Sequence, residues 1–202
     1  MRQLRLLLAL CFVGMAGLLS SCIVEVEEFL TDKAQAKPDA RLYGVWIWAE
    51  RGETMFVQVR PHRDNPKLMQ LTYMDVKPGA TPPVGEWRRY AAWPTRLGAI
   101  DYLNLELEDG SETKNARRLV IRYDVSPKAP AQVMFSVMSD DAVRAAFKQG
   151  DLAGREEGGQ YDKWPIITTN RGLLRDYLRV NATRLFPARG TTLTRAANPE
   201  ND

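Results

Sequence analysis

Residue types that build reactive sites are scarce in this chain of 202 residues, which has only 2 cysteines and 1 histidine. The histidine, His62, cannot by itself form a metal site that needs several imidazole ligands. Cys11 lies inside an N-terminal apolar run and Cys22 lies just after it. From residue 23 onward no thiol remains for a disulfide, a thiolate metal site or a cysteine nucleophile. A domain formed by this part of the chain must therefore be stabilised by packing alone.

The chain also lacks an apolar run of membrane-spanning length. The N-terminal run, from Leu6 to Leu19, is shorter than the roughly 20 residues that a transmembrane helix needs. It follows the basic residues Arg2 and Arg5, and its length is typical of the hydrophobic region of a signal peptide. We therefore predict that residues 1–21 are an export signal.

The apolar run closes with Leu19-Ser20-Ser21-Cys22. This motif resembles the lipobox of bacterial lipoprotein precursors, in which a leucine and two small residues precede an obligatory cysteine. The resemblance implies cleavage between Ser21 and Cys22 and a diacylglyceryl thioether on Cys22. Two or more acyl chains, such as palmitate, hold a protein stably at a membrane, whereas one does so marginally. The alternative is a simple secretory signal followed by a chance cysteine.

The residue after the lipobox indicates which membrane the protein is attached to. Residue 23 is Ile, whereas an Asp there resembles the inner-membrane retention signal of enteric-type bacteria. We therefore expect an outer-membrane protein that faces the periplasm, in preference to an inner-membrane one.

Without residues 1–21 the chain carries 26 basic and 25 acidic side chains. Such a balance lacks the basic excess of nucleic-acid-binding domains, so we expect no nucleic-acid partner.

Alternation of apolar and polar residues dominates the rest of the chain. It predicts seven strands in succession and an eighth further on, at 43–50, 54–61, 67–76, 86–93, 99–107, 117–125, 132–138 and 164–169. Such a meander needs closure or a second sheet to protect its edges. We therefore predict a mainly β fold, an eight-stranded antiparallel up-and-down barrel with two helices near the C-terminus.

Capping residues place the two helices. Ser139 can cap a helix that begins at Asp140 and ends before Gly150, and Asn170 can cap a second helix at about 171–185.

Composition divides the rest of the chain. We predict a lipid tether over 22–40, a folded domain over 41–186 with a glycine-rich loop at 150–162, and a disordered tail over 187–202.

A short motif opens the first predicted strand, Leu42-Tyr43-Gly44-Val45-Trp46. It is similar to the Gly-x-Trp of lipocalin-like (calycin) barrels, in which the Trp plugs one end of the barrel. The physical logic is independent of the resemblance, because Gly lets the chain pass close under a barrel and Trp can fill its closed end. The stretch 41–186 also resembles uncharacterised lipoproteins of Gram-negative bacteria, which implies no function.

Aromatic residues are concentrated in the first five predicted strands, and two interpretations of them stay open. They fill the barrel as core, or some of them line a partly open pocket for an apolar ligand. The candidates for ligand-lining positions are Trp46, Trp48, Tyr73, Trp87 and Tyr102.

The residues that could support catalysis form no recognisable motif. His62 has four candidate serine partners, none of them in a Gly-x-Ser-x-Gly elbow: Ser111, Ser126, Ser136 and Ser139. Glu106 and Glu108, or Glu50 and Glu53, could form a carboxylate pair, but alternate charges on a strand are typical of a solvated face. We therefore assign no catalytic residue, no metal site and no cofactor.

Two classes of function follow from these observations. The leading hypothesis is a non-enzymatic envelope lipoprotein that binds a small or apolar ligand or assists the assembly of a protein partner. The alternative is a periplasmic hydrolase that acts on cell-wall or lipid material, which requires two carboxylates that converge in a cleft.

Overall fold

The computed structural model describes residues 23–50, 52–76, 85–108, 118–126, 131–159, 163–188 and 190–196. The predicted cleavage and lipidation residues, Ser21 and Cys22, lie outside these residues, as do Ser111 and the side chain of Trp87.

The described residues form strands and two α-helices in the following order. They are β1 (Glu25–Val26), β2 (Gly44–Glu50), β3 (Glu53–Pro61), β4 (Met69–Val76), β5 (Gly85–Leu97), β6 (Ile100–Leu107), β7 (Arg118–Ser126), β8 (Gln132–Ser136), α1 (Asp140–Gln149), β9 (Gly154–Glu157), β10 (Trp164–Ile167), α2 (Arg171–Leu185) and β11 (Thr191–Arg195).

Strands β2 to β8 pair antiparallel in chain order, and β11 pairs with both β8 and β2. The result is a closed barrel of eight strands. Closure gives each barrel strand two hydrogen-bonded neighbours and so removes the edges of the sheet. This confirms the predicted fold class, a mainly β barrel accompanied by two helices.

The identity of the closing strand differs from the prediction. The stretch predicted as the eighth strand, 164–169, contributes β10 to a separate three-stranded sheet in the order β1-β10-β9. Strand β9 itself lies in the predicted loop 150–162. The barrel is closed by 191–195, which was wrongly assigned to the disordered tail 187–202. This short strand has a single buried apolar residue, Leu193, so its pattern is too weak to detect.

The predicted tether, 22–40, is also folded where the structure describes it. Residues 23–39, which we call the strap, run along the outside of the barrel, and 40–42 form a 3₁₀ turn across one barrel end. The strap buries five apolar side chains: Val24, Val26, Phe29, Leu30 and Ala36. Charged residues separate them in the sequence, so the overall composition of this segment is polar and predicts a tether.

The buried residues form two hydrophobic cores on opposite sides of the barrel wall. One fills the barrel and includes Trp46, Met69, Leu103, Val133 and Leu193, each fully buried. The other lies outside and joins the strap and both helices to the barrel; it includes Trp93, Tyr102, Val120, Met138, Val143, Leu174, Leu178 and Phe186. Strands β5 to β7 are thus covered on both faces.

Both helices begin and end where their caps predict. The Ser139 hydroxyl accepts a hydrogen bond from the Ala142 amide at 3.3 Å, and Asn170 Oδ1 accepts one from the Leu173 amide at 3.1 Å. Gly150 ends α1 in the left-handed conformation, at φ 75°. No helix in the described residues is long and apolar enough to cross a membrane.

Barrel closure depends on a close approach at Gly190. A Cβ added there would lie 2.3 Å from the Phe135 carbonyl oxygen. We expect Gly190→Ala to lower the free energy of unfolding by about 1–3 kcal/mol, because β11 must move away from β8. The measurement is urea unfolding followed by circular dichroism. The control is Gly172→Ala in α2, where the added Cβ meets only an ordinary 3.5 Å contact. Equal stability of the two variants would contradict this role for Gly190.

Candidate functional site

One end of the barrel is plugged by Trp46, which is fully buried. Its indole N–H donates to the Leu42 carbonyl oxygen at 2.7 Å, within the 3₁₀ turn that crosses this end. The Arg195 guanidinium lies 4.6 Å from the centroid of the Trp46 ring and donates to the Arg41 carbonyl oxygen at 2.7 Å. Gly44, at φ 132°, has the backbone conformation that brings the chain into this position. The structure therefore places the predicted Gly-x-Trp motif at a closed barrel end.

A network of charged side chains surrounds the plugged end. Arg41 Nη2 lies 2.6 Å from Asp39 Oδ2 and 3.0 Å from Asp101 Oδ2. Arg96 donates two hydrogen bonds to Asp101, at 2.6 and 2.7 Å, and the Tyr123 hydroxyl donates to Asp39 at 2.8 Å. The two carboxylates therefore share one guanidinium and link the 3₁₀ turn to β6 and β7.

The surroundings of both carboxylates lower their pKa values and so favour the ionised form. Burial alone would raise the pKa of Asp39, but hydrogen bonds from Arg41 and Tyr123 outweigh it and lower the pKa. Hydrogen bonds from Arg96 lower the pKa of Asp101, against the effect of its own burial. Burial raises the pKa of the Tyr123 hydroxyl, which stays protonated. A general acid for glycoside cleavage needs a raised carboxyl pKa, so this pair suits a structural role.

Two open grooves flank the strap. One, of about 650 Å³, lies beside the Asp39–Asp101 network and includes Thr95 and Arg175. The other, of about 680 Å³, includes Trp93, Glu106 and Arg171. Both are open surfaces of mixed polar and apolar lining, formed where the strap crosses the barrel.

The carboxylates Glu106 and Glu108, considered as a catalytic pair, are each held by other partners. Glu106 forms ion pairs with Lys33 of the strap and with Arg118. Glu108 Oε1 lies 2.6 Å from His62 Nε2. Because the Asp64 amide donates to His62 Nδ1, the Nε2 atom of this ring carries the proton and donates to Glu108. Glu106 therefore joins the strap to the barrel, and Glu108 joins the end of β6 to the loop after β3.

The structure brings one more pair of catalytic candidates together, since Glu50 and Glu53 lie directly opposite each other on the exposed β2–β3 hairpin. The described hydrogen bonds of the His62 imidazole go to Glu108 and to the Asp64 amide, and the Ser139 hydroxyl caps α1. Among the residues that the structure describes, no three His, Cys, Asp or Glu side chains are grouped as metal ligands.

The barrel end opposite the plug is lined by half-buried apolar side chains. In an antiparallel meander the last residues of β2, β4, β6 and β8 meet the first residues of β3, β5, β7 and β11 at this end. Four side chains near it are half-buried and pack against the interior core: Trp48, Met55, Tyr73 and Leu107. We call them the mouth residues.

Only part of the predicted aromatic lining is in this mouth. Trp48 and Tyr73 belong to it, whereas Trp46 is in the plug. Tyr102 was wrongly placed inside the barrel: it lies in the outer core, with its ring 5.6 Å from that of Phe186. Burial there raises the pKa of Tyr102 to about 12. Alternation distinguishes two faces of a strand but cannot say which is inside when both are covered. Met55 and Leu107 were missed because the prediction of the lining considered aromatic residues alone.

Comparison of the chain with models of protein families, with curated proteins and with solved structures finds no significant match in any of the three. The fold and the site themselves define the class: a closed eight-stranded antiparallel barrel, compatible with the lipocalin-like fold, plugged at one end by Trp46 and with half-buried apolar side chains near the other.

The Asp101 ion pairs predict a specific acid sensitivity. Its lowered pKa contributes stability that is complete above the unfolded pKa of about 3.9 and is lost as the pH falls through the lower folded pKa. We expect Asp101→Asn to destabilise the protein near pH 7 and to weaken the further loss of stability on acidification. Urea unfolding at several pH values measures both effects. Asp176→Asn, at an exposed ion pair on α2, is the control and should behave as wild type. An unchanged pH dependence in Asp101→Asn would contradict the assignment.

Proposed function

We propose that the protein is a lipid-anchored lipoprotein of the bacterial envelope whose barrel binds a small apolar ligand through its mouth, without catalysis. Its anchor is a diacylglyceryl group on Cys22, and its place is the periplasmic face of the outer membrane. The anchor and the location rest on the sequence motif at Leu19–Cys22 and on Ile23.

The binding proposal rests on the difference between the two ends of the barrel. Trp46, Leu42 and Arg195 seal one end, so a ligand has its entry at the other. There the mouth residues continue the apolar interior core toward solvent. Covering this surface would remove apolar area from water at about 25 cal/mol per Å², which favours an apolar ligand over a polar one.

The charged groups support a binding role over a hydrolytic one. Asp39 and Asp101 have lowered pKa values and share the Arg41 guanidinium. Glu106 and Glu108 are bound to side chains of the strap and of neighbouring loops. Each pair already stabilises the fold in the resting protein, so using its carboxylates on a substrate would first cost these interactions.

A mouth substitution tests ligand binding. We expect the folded protein to take up the apolar fluorophore N-phenylnaphthylamine, and Trp48→Ala to weaken that binding by about tenfold, or about 1.4 kcal/mol. Fluorescence titration measures the affinity. Leu173→Ala, which removes a leucine that is 61% exposed on α2, is the matched control and should bind as wild type.

Native mass spectrometry of the domain from residue 23 onward, exported in its own host, then identifies any ligand that it retains. Failure of the folded protein to take up the fluorophore, together with a mass that matches the chain alone, would contradict the binding role. The remaining role would then be that of an accessory to a protein partner.

The two cysteines give a matched test of the anchor. In cells fed an alkyne analogue of palmitate, we expect the protein to carry the label and to sediment with membranes. Cys22→Ser should abolish both, because the thioether cannot form. Cys11→Ser should leave both unchanged, since that residue leaves with the signal. Labelling that persists in Cys22→Ser would exclude Cys22 as the anchor.

A further inference from the structure

The described chain begins beside the barrel mouth. Ile23 is half-buried and packs against the core that fills the barrel. Four residues later, the Glu27 carbonyl oxygen accepts a hydrogen bond at 2.7 Å from Arg118, the first residue of β7. Because β7 begins at the mouth end of the barrel, the first residues of the strap lie at that same end.

From there the strap leads away from the mouth and ends at the plug. The Leu30 amide donates to Asn104 Oδ1 at 3.0 Å, midway along β6. At the far end, Asp39 accepts the hydrogen bond of Tyr123 and precedes the 3₁₀ turn that holds Trp46. The strap therefore crosses the barrel from one end to the other.

Strand pairing and hydrogen bonds fix the strap to the domain, so it is not a flexible linker. Glu25 and Val26 pair with β10 as a parallel strand. The Trp93 indole N–H donates to the Thr31 carbonyl oxygen at 2.9 Å, and Arg175 donates to the Leu30 carbonyl oxygen at 2.7 Å. Leu30 itself is fully buried. These contacts fix the direction in which the chain enters the domain.

We infer that the mouth faces the bilayer and that the membrane surface is the partner that covers it. This inference rests on the proposed lipid anchor at Cys22, which precedes Ile23 by one residue, about 3.8 Å between Cα atoms. With a firmly bound strap after it, the anchor leaves little freedom, so the mouth end lies at the headgroups and the plug points into the periplasm. An apolar ligand then passes between bilayer and barrel without crossing bulk water.

The side chains at this end suit a membrane interface. Trp48 and Tyr73 are of the two residue types that concentrate at the headgroup level, where one part of the ring is in an apolar and the other in a wet environment.

The experiment compares the two barrel ends in the full lipoprotein. A single cysteine is introduced at the mouth end, Glu53→Cys, or at the plug end, Ala40→Cys; both positions are exposed. Each is labelled with a bimane fluorophore, because no other thiol is left from residue 23 onward. The proteins are reconstituted into phosphatidylcholine vesicles that contain a lipid with a nitroxide headgroup. We expect several-fold stronger quenching of the label at residue 53 than at residue 40.

A linker variant separates orientation from anchoring. A flexible Gly/Ser insertion of about 15 residues between Cys22 and Ile23, with a root-mean-square span of about 20 Å, should bring the quenching at residue 53 down toward that at residue 40. The protein should still carry the palmitate analogue. Equal quenching at both ends without the linker, or an end-to-end difference that survives it, would overturn the inference while the anchor stands. Absence of the palmitate label would instead show that the proposed anchor itself fails.

Discussion

The pairing of β11 with both β8 and β2 is the interaction on which the other features depend. Without it the meander would end in two unpaired edges, and the interior core would be open along a seam. The same strand carries Arg195, which covers the Trp46 plug and binds the 3₁₀ turn before β2. Gly190 admits β11 beside β8, where a side chain would meet the Phe135 carbonyl. One short strand thus both closes the barrel and seals one of its ends.

Burial on both faces of the barrel wall explains why the strap and the helices form one unit with the barrel. The outer core joins Leu30 of the strap, Leu178 of α2 and Trp93 of β5. Hydrogen bonds to the strap come from both sides, from Trp93 in the barrel and from Arg175 in α2. The proposed anchor, directly before such a segment, would transmit an orientation to the barrel, which a flexible tether would not do.

The described ion pairs hold segments of the fold together. The ionised carboxylates at the plugged end are fixed by guanidinium groups, and Glu106 holds the strap against β6. Among the described residues, half-buried apolar side chains lie near the other end of the barrel. Together these features support the proposed binding role, in which a ligand enters at the end opposite the Trp46 plug.

The sequence by itself determined seven of the eight barrel strands, because they depend on local periodicity. It also determined both helices, because their caps at Ser139 and Asn170 are local signals. The closed barrel followed from the number of strands in succession. Only the tertiary structure decided which segment closes the barrel, since β10 and β11 are both short and only long-range pairing separates them. It also decided that Tyr102 of β6 faces outward, because a strand covered on both sides gives no sequence contrast between its two faces. The fold of the strap could not be predicted from the sequence either. Its few apolar residues form no periodic pattern, and they become buried only by contact with the barrel wall.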